Sequence, residues 1–245
     1  MMIIEEGKIN SAALILNNID YEKDPAFVFL MLAHATEMKH HRFVRKILHT
    51  EDTVFKQKIN SHDEYKKLIV SLSEVLRDTA MHPVENLAVT KYFLDSLFLL
   101  ISDKGSLKYD YQHDYLYSSN MICNGLKISK ATLSRYVNLG LEVVDTNKHN
   151  RYPAHVIFYW KESLWSSRIQ AIFQAFKIRN RTRLDIIKEL EEEKRTYEKS
   201  HGNKSFYEVY AQVKNPDELE DPEKYYDWKD IMDELEELTN EDQSE

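Results

Sequence analysis

Apolar residues recur at helical spacing over most of the chain, and this pattern predicts a mainly α-helical protein. In the first hundred residues it indicates three helices, at about 25–50, 61–79 and 84–102. Pro25 directly follows Asp24, which is typical of a helix N-terminus. Ser61 and Glu64 have the spacing of a capping box before the second helix. We therefore expect residues 1–105 to form a bundle-like helical domain.

The first predicted helix carries apolar residues and histidines at intervals of three and four. The following residues fall at helical spacing, with aromatic and leucine neighbours: Phe27, Leu30, Met31, His34, Met38, His41 and Val44. Glu37 and His40 also have the Glu-x-x-His spacing of carboxylate-bridged di-iron bundles, but no second copy of that motif is present. The cluster is therefore expected to be a solvated helix face with hydrogen-bonded histidines, and we expect no metal and no cofactor.

A polar helix with well-defined ends is indicated at residues 129–139. Ser129 can cap its N-terminus, and Gly140 suits the left-handed residue that often ends a helix. Leu133 and Val137 lie four residues apart and should share the buried side. The other sides carry the polar residues Lys130, Thr132, Ser134, Arg135 and Asn138.

A shorter helix is expected just before it, over about 118–125, followed by a turn at 125–128. Two short helices joined by a glycine-containing turn form a helix-turn-helix unit, whose second helix normally lies in the major groove of DNA. A Tyr-rich connector, 108–117, leads into this unit. Its tyrosines would either pack at a joint between domains or form a ligand surface.

A small β-hairpin, or wing, is indicated after the second helix. The segment 141–145 suits a short strand, 146–150 is a polar turn, and 151–153 begins the return. A further helix should then begin near Ala154 and carry an aromatic inner face. The tip of this hairpin carries Lys148, His149, Asn150 and Arg151, which could reach a phosphate strand or the minor groove.

Residues 115–165 resemble the winged helix of the mercury-resistance regulator and excisionase (MerR/excisionase-like) superfamily, which includes the DNA-binding domains of lambda-type small terminase subunits. The resemblance is carried by Thr132, Leu133, Tyr136, Gly140 and Leu141, and in the hairpin by Arg151 and Tyr152. It implies a winged helix-turn-helix over 106–165 that binds double-stranded DNA. The helix at 129–139 would enter the major groove, and the wing at 147–151 would contact the backbone.

The net charge of −8 is unevenly distributed along the chain. Residues 127–183 contain 11 Lys and Arg against 3 Asp and Glu, whereas residues 201–245 contain 4 against 15. A basic region that coincides with the predicted wing favours phosphate contact, because local charge governs such contacts better than net charge.

A long helix is expected over about 162–199, with a basic interruption at 177–183 that is either a phosphate contact or a solvated bend. Its part beyond the winged helix, 166–200, would form a homodimer or larger homo-oligomer, or would pack on its own chain. Residues 201–245 are expected to form an acidic tail with aromatic islands and a short helix at 230–238. This tail could dock on a protein partner, could compete with DNA for the basic centre, or could remain solvated.

No signature of an enzyme, a membrane span or a secreted protein is evident. The sequence contains no P-loop, no Gly-x-Ser-x-Gly motif and one cysteine, Cys123. No apolar run approaches the length that spans a bilayer, and no signal peptide is recognised. These features favour a non-enzymatic cytoplasmic protein.

Together the patterns favour a double-stranded-DNA-binding protein of bacterial, phage or plasmid origin. A transcriptional regulator would use the 1–105 domain for an effector or partner. A phage DNA-packaging or plasmid-maintenance factor would use it for assembly. The alternative from another class is a non-enzymatic adaptor, in which the wing, the N-terminal domain and the tail bind proteins.

Overall fold

The computed structural model describes residues 24–144, 146 and 149–240. Residues 1–23 of the expected N-terminal domain, Lys148 of the wing and residues 241–245 of the tail lie outside the described residues. The chain is mainly helical, as expected, and has only short antiparallel strand pairs. It divides into two compact units, 1–180 and 181–245. The segments expected as separate domains, 1–105 and 106–165, therefore fall within one unit.

Three helices enclose the main core of the first unit: α1 (Pro25–Lys39), α2 (His62–Arg77) and α3 (Pro83–Ile101). Helices α2 and α3 confirm the expectations for 61–79 and 84–102. The middle of α3 is buried through Leu94, Leu97 and Phe98, and the ring centroids of Phe98 and Phe29 lie 5.3 Å apart. Ser61 precedes α2 without a side-chain capping bond, so the expected capping box is wrong.

The first helix ends at Lys39, eleven residues earlier than expected, and its most buried residues are not the ones that the helical spacing singled out. Val28, Phe29 and Leu32 are buried, whereas Phe27 and Leu30 are about half exposed. Because α1 is apolar on nearly all sides, its periodicity did not identify the inner face. The chain then turns into strand β1 (Val44–His49), whose residues Val44 and Ile47 point into the core.

The Tyr-rich connector contributes a strand rather than a simple linker. Strand β4 (Leu107–Tyr111) pairs antiparallel with β1, and a 3₁₀ turn (His113–Tyr115) follows it. Strand β2 (Val54–Phe55) pairs with β3 (Ser102–Lys104), and β5 (Leu116–Tyr117) pairs with β6 (Tyr152–Pro153). The tyrosines of the connector are thereby placed between the three-helix core and the segment that follows.

Four further helices complete the first unit: α4 (Ser119–Leu126), α5 (Lys130–Asn138), α6 (Val156–Lys161) and α7 (Ser163–Arg179). The long helix expected over 162–199 is wrong, because α7 ends at Arg179. The Arg179 guanidinium donates to the carbonyls of Ser102 (2.9 Å) and Gly105 (2.7 Å), and the Asn180 amide donates to Gly105 O (3.0 Å). These bonds attach the end of α7 to the β3–β4 turn.

The second unit is built from α8 (Arg183–Ser200), α9 (Phe206–Val209) and α10 (Pro222–Asn240). Leu190 of α8 packs with Ile231 and Leu235 of α10. The fully buried Trp228 stacks on Tyr197 with centroids 5.4 Å apart, and it also contacts His201, Phe206 and Tyr210. The aromatic islands expected in a tail therefore form a core with α8, and the helix expected at 230–238 begins at Pro222.

Candidate nucleic-acid interface

Helices α4 and α5 are short helices joined by a tight turn, and local side-chain bonds define their ends. The Ser118 hydroxyl accepts from Met121 N (3.4 Å), and the Ser129 hydroxyl accepts from Thr132 N (3.1 Å). Between the helices, Lys127 adopts a left-handed conformation with φ of 57°. The turn between the helices is therefore only three residues long, and α5 begins where Ser129 predicts it.

Apolar packing holds one side of α5 against its neighbours. Leu133 is 2% exposed and lies in a cluster with Ile122, Leu141 and Val156. Tyr136 stacks on Trp160 with ring centroids 4.4 Å apart. These contacts fix the rotation of α5 about its own axis and so determine which residues face solvent.

The opposite side of α5 is polar and open. Lys130, Ser134, Arg135 and Asn138 are all exposed. At 100° per residue these four positions fall within an arc of about 140°. Thr132 lies outside that arc and is half-buried, and its hydroxyl is 3.0 Å from that of Ser129. Four of the five expected helix residues thus share one face, and Thr132 is instead part of the helix cap.

Gly140 ends the segment with a backbone that other residues rarely adopt. Its φ is 105°, and a Cβ at this position would lie 2.6 Å from Phe173 Cβ on α7. The expectation that Gly140 closes α5 is confirmed. The glycine also lets the chain turn closely past α7 and brings Leu141 into the core.

The loop after Gly140 contains less strand than expected. In its described part, the strand expected over 141–145 is reduced to a single bridge between Val144 and Arg151. Thr146 hydrogen-bonds to His149 within the loop. Asn150 is exposed and Arg151 is half-buried, so Asn150 is open to a ligand while Arg151 lies at the loop base. Lys148, expected at the tip, is outside the described residues.

A network of charged and aromatic side chains lies beneath this loop. Glu142 Oε2 accepts from His155 Nε2 (3.0 Å) and lies 3.7 Å from Lys91 Nζ, and Glu142 Oε1 accepts from the Tyr111 hydroxyl (2.7 Å). Lys91 Nζ also donates to Asp95 Oδ2 (2.7 Å). The segment following α5 is thus joined to α3 and β4 by ion pairs and hydrogen bonds.

Aromatic hydroxyls complete the network. The Tyr109 hydroxyl donates to Asp95 Oδ1 (2.7 Å), and Lys91 Nζ lies 4.1 Å from the centre of the Tyr109 ring. The Tyr115 hydroxyl is 3.0 Å from His155 Nδ1. The side chains of His155, Asp95 and Lys91 are 0%, 9% and 13% exposed, and Glu142 is the most exposed of the four at 27%.

The network shifts the ionisation of its members. Burial opposes the charged form of Glu142, but Lys91 and the hydrogen bond from His155 lower the pKa of this carboxyl to about 2. Burial likewise opposes the charged form of Lys91, yet Asp95 and Glu142 raise the pKa of its ammonium. Burial together with the Glu142 charge raises the pKa of the Tyr111 hydroxyl well above its ordinary value. Glu142 and Lys91 are therefore charged at neutral pH.

This network was missed by the sequence reasoning, because its members are distant in sequence. Lys91 and Asp95 lie on one predicted helix, Glu142 lies in the first strand of the predicted hairpin, and His155 follows the hairpin. Two signals were available. His155 interrupts an apolar run, and Tyr109, Tyr111 and Tyr115 recur at odd positions of the connector. Of the two uses expected for those tyrosines, the joint is the one the structure contains.

Two other sequence candidates have structural roles. In the basic interruption, Arg179 binds backbone carbonyls of its own unit, Arg181 pairs with Glu189 (2.8 Å), and Arg183 bonds to Leu238 O. In the histidine cluster, Glu37 Oε1 accepts from Ile47 N (2.6 Å) and so caps the edge of β1. His40 is buried rather than solvated, and burial lowers its pKa to about 3.

Over the described ranges, no group of three or more His, Cys, Asp and Glu side chains is placed to hold a metal ion. Within the same ranges, no helix has the length and apolar content needed to cross a bilayer. Comparisons with protein-family models, curated proteins and solved structures give no match for this chain.

Proposed function

We propose that this protein binds double-stranded DNA through α5, as the recognition helix of a winged helix-turn-helix, and that it regulates transcription. The observation that carries the proposal is the exposed face of α5, on which Lys130, Ser134, Arg135 and Asn138 stand together while Leu133 anchors the other side. A helix presented in this way can enter a major groove without disturbing its own packing.

The residue types on this face suit contacts with base edges and contacts with phosphates. Arg135 can donate two parallel hydrogen bonds to a guanine edge, and Asn138 can do the same to an adenine edge. Lys130, in the first turn, is suited to a phosphate, and Ser134 to either a base or a phosphate. The loop at 147–151, with Lys148, Asn150 and Arg151, would lie against the backbone.

The basic excess around this face is smaller than the sequence count suggests. Of the 11 basic residues between 127 and 183, Arg179, Arg181 and Arg183 interact with other parts of the protein. The remaining cations near α5 include Lys127, Lys130 and Arg135, all exposed. Because the basic excess is small, we expect one copy of the protein to bind a duplex with modest affinity. Each phosphate contact releases a counterion, so this affinity should fall steeply as the salt concentration rises.

One copy of α5 covers a single half-site, so the proposal includes a homodimer on a two-fold symmetric sequence. Selection of preferred sites from a random duplex pool tests this part. A palindromic consensus supports a regulator. A consensus without symmetry, together with a ring-like oligomer, supports a role in DNA packaging or plasmid maintenance.

Fluorescence anisotropy with a labelled mixed-sequence duplex, in a salt series, tests the proposal. We expect Arg135→Ala and Arg151→Ala to weaken binding, and Arg135→Ala to do so by about tenfold or more. The matched control is Lys67→Ala, which removes the same charge from the exposed surface of α2. Equal affinities for Arg135→Ala, Lys67→Ala and the wild type would overturn the docking of DNA on α5.

One observation favours a protein-binding adaptor as the second candidate. Met121 on α4 is 49% exposed and Leu139 at the end of α5 is 37% exposed. Large apolar side chains beside a polar face are common in protein interfaces. Under this alternative no duplex binds even at low salt, and Met121→Ser with Leu139→Ser abolishes capture of a protein partner.

A further inference from the structure

Helix α7 lies on the surface of the first unit and carries large apolar side chains on its outer side. None of its 17 residues, all of which the structure describes, is fully buried. Its inner side packs through half-buried residues such as Phe176, which contacts the main core. On the outer side, Leu164 is 59% exposed and Ile178 is 57% exposed. A surface helix normally presents polar and charged residues to solvent, so this side of α7 departs from the usual pattern.

The outer side of α7 is also poor in charge when it is compared with that of α2. Of the eight exposed residues of α2, six are charged: Asp63, Glu64, Lys66, Lys67, Glu74 and Arg77. Of the nine exposed residues of α7, only Arg168 and Lys177 are charged. The depletion of charged residues is a compositional mark of protein interfaces. The outer side of α7 is therefore better suited than α2 to contact another protein surface.

The exposed residues of α7 are arranged symmetrically about Ala171. At 100° per residue, seven of them lie within about 60° of Ala171 around the helix. They are Leu164, Ser167, Arg168, Ala171, Gln174, Ala175 and Ile178. If the helix is turned end for end about Ala171, position 164 falls on 178, 167 on 175, and 168 on 174. The exposed pattern is thus the one that an antiparallel pair of identical helices requires.

The side chains at these related positions are compatible with one another. In an antiparallel pair, Leu164 of one copy would meet Ile178 of the second copy at each end of the contact. The small residues Ser167 and Ala175 would face each other between the ends and the centre. Ala171 would meet Ala171 of the second copy at the centre, where small side chains allow the helix axes to approach closely. The pairing therefore covers both large apolar residues without a steric conflict at the centre.

Charge favours the antiparallel direction over the parallel one. Glu162 directly precedes α7 and Lys177 lies in its last turn, and both are exposed. An antiparallel arrangement brings the Glu162 end of one helix to the Lys177 end of the other, as the helix dipoles also favour. The Arg168 guanidinium, 5.0 Å from the centre of the Trp165 ring, would face the amide oxygen of Gln174. In a parallel pair it would face a second Arg168.

We propose that the outer side of α7 is a homodimer interface, in which two copies of the chain pair antiparallel about a two-fold axis at Ala171. The inference rests on the proposed function and names the surface that joins the two half-site readers. Phe173, which a Cβ on Gly140 would meet, lies about 200° around α7 from Ala171. A second copy on the Ala171 side therefore does not cover the end of α5.

Sedimentation of the full chain tests the interface. Seven residues from each copy form a small contact beside the roughly 20–30 residues a side of a standard interface, so we expect a dissociation constant on the order of 10–100 μM. Ala171→Glu places two like charges at the axis and should keep the chain monomeric over this range. The matched control is Val70→Glu on α2, where Val70 is 47% exposed, and it should dimerise as the wild type does.

Thiol crosslinking tests the direction of pairing. Cys123 is the single cysteine, so each variant is made together with Cys123→Ser. Ala171→Cys should crosslink to itself under mild oxidation, because the axis brings the two copies of this position together. Leu164→Cys and Ile178→Cys should crosslink to each other when mixed, and neither should crosslink to itself. Lys67→Cys on α2 is the control and should crosslink little. Self-crosslinking of Leu164→Cys, or a yield from Ala171→Cys no higher than from Lys67→Cys, overturns the proposed pairing.

Duplex binding separates failure of the interface from failure of the proposed function. On a duplex with two half-sites, Ala171→Glu should bind about tenfold or more weakly than the wild type, because the two copies no longer assist each other. On a duplex with one half-site the two proteins should bind equally. Equal affinities on two half-sites overturn the role of the interface on DNA.

If the wild type dimerises and Ala171→Glu does not, but no duplex binds either protein, the DNA proposal fails and the interface is retained. If the wild type is monomeric up to concentrations about tenfold above the expected dissociation constant, the interface is overturned whether or not a duplex binds. The same holds if Ala171→Glu dimerises as the wild type does.

Discussion

Arg135 and Glu142 are seven residues apart, and both are charged, but their surroundings are opposite. Arg135 is exposed on α5 beside other polar groups that face solvent. The Glu142 carboxylate accepts from His155 and Tyr111 and lies 3.7 Å from Lys91. A charge that is paired within the protein fixes structure, whereas an exposed charge is available to a ligand. Stability and binding should therefore depend on different residues within one short segment.

The largest expected effect is on stability, from removing the carboxylate in the network. Glu142→Ala leaves the His155 N–H and the Tyr111 hydroxyl without their acceptor and leaves Lys91 with only Asp95. We expect a loss of about 3 kcal/mol in the free energy of unfolding, measured with urea at neutral pH. The matched surface variant, Arg135→Ala, should change the same quantity by less than about 0.5 kcal/mol. Similar losses in both variants would contradict the comparison.

The same carboxylate should produce a specific dependence of stability on pH. Lys91 and His155 lower the pKa of Glu142 to about 2, below the ordinary value of 4.5. A lowered pKa contributes stability that is fully present above about 4.5 and is lost as the pH falls through about 2. The contribution is on the order of 3 kcal/mol. Urea unfolding at pH about 5 and about 2.5 should show that Glu142→Gln loses less stability on acidification than the wild type does.

Gly140, between the two regions, should give an intermediate effect. In Gly140→Ala the new Cβ meets Phe173 at 2.6 Å, and φ of 105° disfavours any L side chain. We expect a loss of about 2 kcal/mol in the free energy of unfolding. Gly202→Ala, which also has positive φ but open space around its Cβ, is the matched control and should lose less. Equal losses would show that the contact with α7 has no role in holding α5.

The smallest expected effect is a change in salt dependence on the exposed face. Lys130→Ala should weaken duplex binding nearly equally for all sequences, and it should reduce the slope of log affinity against log salt by about 1. The Lys67→Ala control on α2 should leave that slope unchanged. An unchanged slope in Lys130→Ala would show that Lys130 makes no phosphate contact. Duplex binding by the exposed face would then depend on Arg135 and Asn138.

Helix α5, whose two ends carry capping residues, was predicted well from sequence. Ser129 and Gly140 delimit α5 within a residue, because a capping hydroxyl and a left-handed glycine act on their own turn of helix. The end of α1 was missed, because apolar residues continue past Lys39 into β1, and period alone does not separate a buried strand from a buried helix. The break after Arg179 was missed because apolar residues at helical spacing resume at Ile186, in the next helix.

Only the exposed residues of the candidate site could be predicted from sequence. The common face of Lys130, Ser134, Arg135 and Asn138 follows from the helical period of α5 and from the burial of Leu133. Thr132 lies outside this face, and its hydroxyl is 3.0 Å from that of Ser129, a local bond that competes with a ligand. Lys91 and Asp95 have the i,i+4 spacing of an ion pair on one helix, but the contacts of Lys91 with Glu142 and of Glu142 with His155 are tertiary, and their spacing in the sequence does not indicate them.

Photo-crosslinking from the face of α5 tests the central claim most directly. A photoreactive residue is placed at Ser134 in the full chain, with Lys67 on α2 as the matched position, and each protein is irradiated with a mixed-sequence duplex. The account predicts crosslinks from position 134 that decrease as salt rises, and few from position 67. Crosslinks of equal yield from both positions, or none from position 134 at low salt, would contradict the assignment of α5 as the DNA-binding surface.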